Sequence, residues 1–324
     1  MTRPETLLRL LAGLALLLAA PARADVGSAL TTLMAEDARL QSLGWALARA
    51  NAPFCADAPP GIGLLLLDAA NFRDPPVIRA ALGLGGDIAV GAVAADSPAE
   101  RAGLRAGEEV LAIDGEPMAG LPKATPGDPL RLAGLHQRIE HALAARGGIA
   151  LTLRDRTITL TGEPACASRF ELALSGRRAV AEGSRVVIGR DALNANPVDA
   201  EATVIVAHEL AHNVLRHRVR LEAGGRLTAE VRRTEREADR LAVWLLANAG
   251  HDPQAAIRLA EGWLRAGDKG LLRAPTHDGW QTRRDLMARE VEAVAQARKA
   301  QPQGPLDWRA RFHLPAIPAA PVLR

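Results

Sequence analysis

His208, Glu209 and His212 stand in the stretch AHELAHNVL, inside a run from Val204 to Leu215 that is otherwise largely apolar. On a helix, positions i and i+4 share one face, so the two imidazoles converge on a single point. That is the bite a tetrahedral zinc ion takes from two ligands. Glu209, beside the first imidazole, can reach a water at such a metal and take its proton. Buried without partners, these three groups would cost several kcal/mol, and a metal is a way of satisfying them. No methionine or cysteine accompanies them, so copper and iron–sulfur chemistry have no support.

Two histidines leave zinc short of protein ligands, so a third must come from elsewhere. The stretch EREAD supplies Glu235 and Asp239, again at i and i+4. His212 lies 12 positions before Gly224, and Glu235 lies 10 beyond Gly225. In an antiparallel helix hairpin turning at those glycines, the two sit at nearly the same height. Glu235 is therefore expected to be the third ligand of one Zn2+ per chain. Asp239 is expected to accept a hydrogen bond from a ligand imidazole and fix its tautomer. Glu237 is expected to be a surface charge. His217, five residues after His212, falls off the ligand face of a continuous helix, and His136, His141, His251 and His313 have no partner pattern.

The elements needed to hold this site follow from periodicity. One helix is expected over about 197–221 and a second over about 228–248, with others near 252–266 and 279–299. RFELAL and SRVVIG read as strands ahead of them, and SRVVIG, just before the catalytic helix, as an edge for an extended substrate to join. Residues 25 to about 50 carry apolar positions at helical spacing, and GLLLLDA reads as a short buried strand. The Pro-rich tail, 301–324, is expected to wrap the surface or stay mobile.

At the amino end, MTRPETLLR is followed by LLAGLALLLAA and then by Ala22-Arg23-Ala24. This fits a signal peptide over 1–24, cleaved near Asp25, because the apolar run is shorter than the roughly 20 residues a bilayer span needs. The mature chain is thus expected to be periplasmic or otherwise exported, with no stable membrane span. In an oxidising compartment the only two cysteines, Cys55 and Cys166, favour pairing, the alternative being two separate buried thiols. A net charge of +3 over 324 residues, with both signs interleaved, gives no argument for nucleic acid.

HELAH followed by EREAD, after a leader, resembles the HtpX-like and CAAX-prenyl-endopeptidase-like zinc metallopeptidases (peptidase family M forty-eight, gluzincins) over roughly residues 165–290. The resemblance implies zinc ligands at His208, His212 and Glu235, a general base at Glu209 and a supporting Asp239. The family's later His-Pro pair and Arg correspond to His277 and Arg283, with Asp278 where the proline usually stands. The chain has no tyrosine, so His277 or Arg283 is expected to donate to the oxyanion. His277 could instead occupy the open metal position at rest.

SPAERAGLRAGEEVLAIDGEPM closely resembles a bacterial PDZ domain. Ser97 and Pro98 form a helix start, Asp114-Gly115 a hairpin turn, and LRLAGLHQRIEHALAARG a long helix before a last hairpin. The resemblance implies a groove between a strand and the long helix that takes a peptide terminus as an added strand. The expected fold class is α+β: a mainly helical zincin-type metallopeptidase domain with a small β-sheet, plus a PDZ-like β-rich module. Its segments are a helical part of the protease domain at 25–81, the PDZ-like module at 82–163 and the metallopeptidase domain at 164–300. The expected activity is that of an exported zinc endopeptidase acting on protein or peptide substrates, in envelope protein quality control. Its rivals are a peptide-binding or chaperone-like protein with a structural or latent zinc site, and a zinc hydrolase for a non-peptide bond.

Overall fold

The computed structural model describes residues 20–122, 124–268 and 276–312. Most of the expected leader, and the end of the tail from 313, lie outside these residues. A first helix, α1 (Ala20–Asn51), already includes Ala22–Ala24, and its continuation bears the expected apolar spacing. The chain divides into two compact units, and α1 gives its first part to one and its second to the other.

The first unit comprises residues up to Ala38, Leu64–Val93 and Ala99–Leu160. Strands β1 (Leu64–Asp68) and β2 (Ile88–Val93) pair antiparallel. A four-stranded sheet is built from β3 (Ala112–Ile113), β4 (Glu116–Pro117), β5 (Gly148–Thr152) and β6 (Thr157–Thr161), in the order β4-β3-β5-β6. Asp114 and Gly115, at φ 50° and 79°, make the tight β3–β4 turn, where glycine tolerates a conformation most residues avoid. The long helix α2 (Leu130–Arg146) buries Leu135, Ile139 and Leu143 and ends at Gly147 in the left-handed region. Arg131 on α2 grips the buried Asp68 of β1 with Nε at 2.7 Å, and also reaches Asp87.

The second unit comprises Arg39–Gly63, Ala94–Pro98 and the chain from Thr161. Its sheet holds β7 (Arg169–Ala173), β8 (Ala179–Ala181) and β9 (Arg185–Gly189) in the order β8-β9-β7. β9, the core of SRVVIG, is therefore the central strand, parallel to β7 and antiparallel to β8. The two outer strands are β7 and β8, the latter a three-residue Ala-Val-Ala segment with no alternating pattern to announce it. The second part of α1 lies so close to β7 that any Cβ at Gly44 would fall 2.2 Å from the Phe170 ring.

The expected 197–221 helix is two helices. α3 (Asp199–Val214) ends at Leu215, Arg216 takes φ 53°, and α4 (His217–Ala223) sets off in a new direction. No glycine or proline marks the break. An arginine in the left-handed region costs about 1 kcal/mol, and its guanidinium is anchored on Asp57. Helix α5 (Thr228–Asn248) packs along α3, and its fully buried Ala238, Leu241, Ala242 and Leu245 stand at i, i+3, i+4 and i+7. Helix α6 (Ala255–Leu259) runs on through a π-helical turn at Ala260–Leu264, and α7 (Trp280–Ala300) lies against α5. The buried Glu290 of α7 accepts from Arg240 and Trp244, which ties α7 to α5.

The tail corrects an expectation. Leu306, Trp308 and Phe312 are buried, and Trp308 Nε1 donates to Asn51 Oδ1 at 3.1 Å. Among the described tail residues the only helix is a 3-10 turn at Arg309–Arg311, but the apolar side chains still anchor in the core. Cys55 and Cys166 form a disulfide across a sequence separation of 111. Closing so long a loop restricts the unfolded chain and contributes about 5 kcal/mol on a chain-entropy account. The disulfide is consistent with an exported protein, and no helix among the described residues is long and apolar enough to cross a membrane.

Candidate metal centre

α3 and α5 bring three side chains to one point. His208 Nε2 and His212 Nε2 face each other at 3.2 Å. Glu235 places Oε2 at 3.4 Å from the first nitrogen and Oε1 at 3.5 Å from the second. These three residues could hold a metal ion, their ligand atoms all lying within 4.8 Å of one another. The donor set suits the group the sequence implies: two imidazoles and one carboxylate make a three-ligand zinc site with a position left open.

Asp239 Oδ1 lies 3.0 Å from His208 Nδ1, the placement its i+4 spacing from Glu235 implies. Burial would raise the Asp239 carboxyl, but Arg283 and His208 outweigh it and hold it at about 2. Arg283 binds that carboxylate with two donors, at 2.7 and 2.6 Å. Burial disfavours a charged imidazole at His208, yet Asp239 and Glu235 push it up to about 10. Burial and the neighbouring His208 drive His212 well below its ordinary value. Burial opposes charge on Glu235 too, but hydrogen bonds from His208 and His277 hold it well below the usual carboxylate range. Metal uptake at such a site displaces a proton from the ligands.

Glu209 is buried on α3 and is not among the converging ligands. Burial is the main reason its carboxyl rises to about 7, with the Ala181 N–H donating to it from β8. Pairing fixes the aim of that edge. Glu182 N donates to Arg185 O and Gly189 N to Arg178 O, so the intervening Ala179 and Ala181 turn their N–H and C=O groups away from β9. Asn213 on α3 fixes the turn after β8, accepting from Gly183 N at 2.8 Å and donating to Arg185 O. The metal-site residues, Ala179–Ala181, His277 and the apolar Leu259, Trp263 and Met287 all line one cleft of about 790 Å3.

His277 is 43% exposed, so solvent reaches it, with Nε2 at 3.2 Å from Glu235 Oε2. The departure at Asp278 has a structural use: its carboxylate takes two hydrogen bonds from Arg236 of α5, at 2.5 and 3.0 Å, and so holds the loop beside the site.

Two residues escaped the sequence reading. His217 is buried, with Nδ1 at 2.9 Å from His212 Nδ1 and Nε2 at 3.1 Å from Glu237 Oε2. Glu237 is no surface charge: it also meets Arg220 at 2.8 Å and Arg233 at 3.1 Å. Burial raises its carboxyl, but His217 and Arg220 prevail and hold it at about 2.

In the first unit, the edge of β1 facing away from β2 has its own occupant. The Leu66 N–H donates to His136 Nε2 of α2 at 3.4 Å. That amide points outward because its partner Val90 directs its own N–H and C=O to Glu108 and Gly107.

A family model for the PDZ domain matches residues 90–124, which bears out that part of the sequence reading. PDZ domains bind peptides, so the match supports a peptide-binding role. No curated protein matches the chain. The fold mixes helix with small sheets and includes this PDZ domain.

Proposed function

We propose that the chain is an exported zinc endopeptidase that cleaves protein or peptide substrates in the cleft of its second unit. The observation that carries this reading is the convergence of His208, His212 and Glu235 beside a buried, unligated Glu209. The Cys55–Cys166 disulfide supports the exported setting, and a role in envelope protein quality control would suit it.

Zinc, when bound, supplies a Lewis acid that polarises a carbonyl and makes water more acidic. The remaining work falls to this chain's side chains and backbone. An extended substrate pairs with the Ala179 N–H and the outward carbonyls of β8, which aligns its scissile bond along the metal centre. Glu209 takes the proton of the attacking water and returns it to the leaving amine. His277 is reachable and near, so we assign it the oxyanion hydrogen bond. Arg283 was an alternative for that role. Two of its donors are committed to Asp239, so we assign it to holding Asp239 against His208.

The test is direct. The full chain with one equivalent of zinc should cleave unfolded casein but not simple esters, lose that activity to a chelator and regain it with zinc. Ester cleavage without proteolysis would move the assignment to a different hydrolase.

A second reading, a peptide-binding or chaperone-like protein with a structural or latent zinc site, is favoured by the PDZ match. His136 bears on it, since it occupies the Leu66 amide that an added strand would use. His136→Ala should therefore tighten binding of a C-terminal peptide library by about tenfold, the worth of roughly one hydrogen bond. Unchanged affinity, read by fluorescence anisotropy, would show that peptides do not use this edge.

A further inference from the structure

We propose that His217 and Glu237 act as positioning residues that fix the tautomer of His212, so that its Nε2 faces the metal as a bare lone pair. The proposal rests on the metal-site reading and concerns how the second imidazole is prepared.

The hydrogen-bond chain has one self-consistent assignment. Arg220 lies 2.8 Å from Glu237 Oε2, so Glu237 is a carboxylate and can only accept. His217 Nε2, 3.1 Å from the same oxygen, must then carry a proton. A neutral imidazole carries only one, which leaves His217 Nδ1 as an acceptor. His212 Nδ1, 2.9 Å away, is accordingly the donor, and Nε2 of His212 keeps no proton. The opposite direction would require a doubly protonated His217. That cation would be buried with 1% side-chain exposure beside Arg220, at a high desolvation cost.

The arrangement parallels the one at His208. There, Arg283 holds Asp239, and Asp239 meets His208 Nδ1 directly. At His212 the carboxylate is more distant, and the His217 ring spans the gap. Both ligands thus have a carboxylate backed by a guanidinium, an arrangement that orients the ring and raises its basicity toward a metal. The break at Arg216 makes this geometry attainable, because a continuous helix would point position 217 away from the ligand face.

The experiment uses the full chain, stripped of metal and titrated with zinc against a chromophoric chelator. His217→Leu, which removes the acceptor but keeps bulk, should weaken zinc binding about 10- to 100-fold. His217→Gln should stay within a few-fold of wild type, because its carbonyl can accept from His212 while its amide donates to Glu237. A purely structural role for the ring would not separate these variants in that order. Long-range 1H–15N spectra of the metal-free wild type should place the His212 proton on Nδ1. A folded His217→Leu with wild-type affinity, or a His212 proton on Nε2, overturns the proposal. If His217→Leu does not fold, the spectra decide. A chain that binds zinc with this pattern but cleaves nothing would sink the peptidase reading and leave this one standing.

Discussion

Glu209→Gln should retain one zinc per chain at wild-type affinity and lose peptide cleavage by about a hundred- to ten-thousandfold, the range a general acid–base group supplies. The split between the two readouts is the point. Glu209 is absent from the converging ligand set, so its charge is not needed to hold the ion. It follows His208 directly on α3 and stands against β8, where a substrate strand would lie on the proposed reading, so its proton affinity would serve the proposed chemistry. Glutamine has nearly the same shape, and its carbonyl can still accept from Ala181. The buried site should stay packed, and unfolding midpoints without metal should shift little. Metal content by elemental analysis and initial rates on casein settle the matter together. Cleavage within a few-fold of wild type would mean that Glu209 is not the base. Loss of metal along with activity would mean that it is a ligand after all.

The centre was legible because its residues obey helix periodicity. His208 and His212 share a face, Glu235 and Asp239 share another, and the packing of α3 on α5 brings those faces together even though the chain between them breaks at Arg216 instead of turning at the glycines alone. What surrounds the centre was not legible, for identifiable reasons. A helix continued through Leu215 and Arg216, where composition gives no sign of a stop, puts His217 on the wrong side. Glu237 sits between two acids of the metal-facing row, and its buried partners His217 and Arg220 come from the reoriented α4. SRVVIG is the more strongly β-forming segment and reads as the edge. Hydrogen-bond order instead leaves the short Ala179–Ala181 strand outside. Trp308 shows that a proline-rich segment with no α-helix among its described residues can still be buried. In the PDZ module, turn and cap signals sufficed for the elements, while the His136–Leu66 contact depends on which way one mid-helix ring points.

The acid at 235 carries the heaviest structural demand, and Glu235→Ala should abolish stoichiometric zinc binding at micromolar protein, a loss of at least about a hundredfold in affinity. Without it, the ion keeps two imidazoles, and no other carboxylate among the described residues joins them in the converging set. Asp239 cannot readily substitute, because it is held on the far side of His208 by Arg283. Shape and charge can be separated. Glu235→Gln keeps the reach but loses the charge, and Glu235→Asp keeps the charge but falls one methylene short, so both should bind zinc more weakly than wild type and more tightly than alanine. The same series predicts stability. A ligand at a thousand times its Kd stabilises the native state by about 4 kcal/mol, so zinc should raise the wild-type melting temperature and leave that of Glu235→Ala unmoved. In chelator the alanine variant should melt somewhat below wild type, because the carboxylate then pairs with His208 and His277, so the readout is the zinc-induced shift of each protein. An alanine variant that still melts higher with zinc would put the third ligand elsewhere and undo the centre as described.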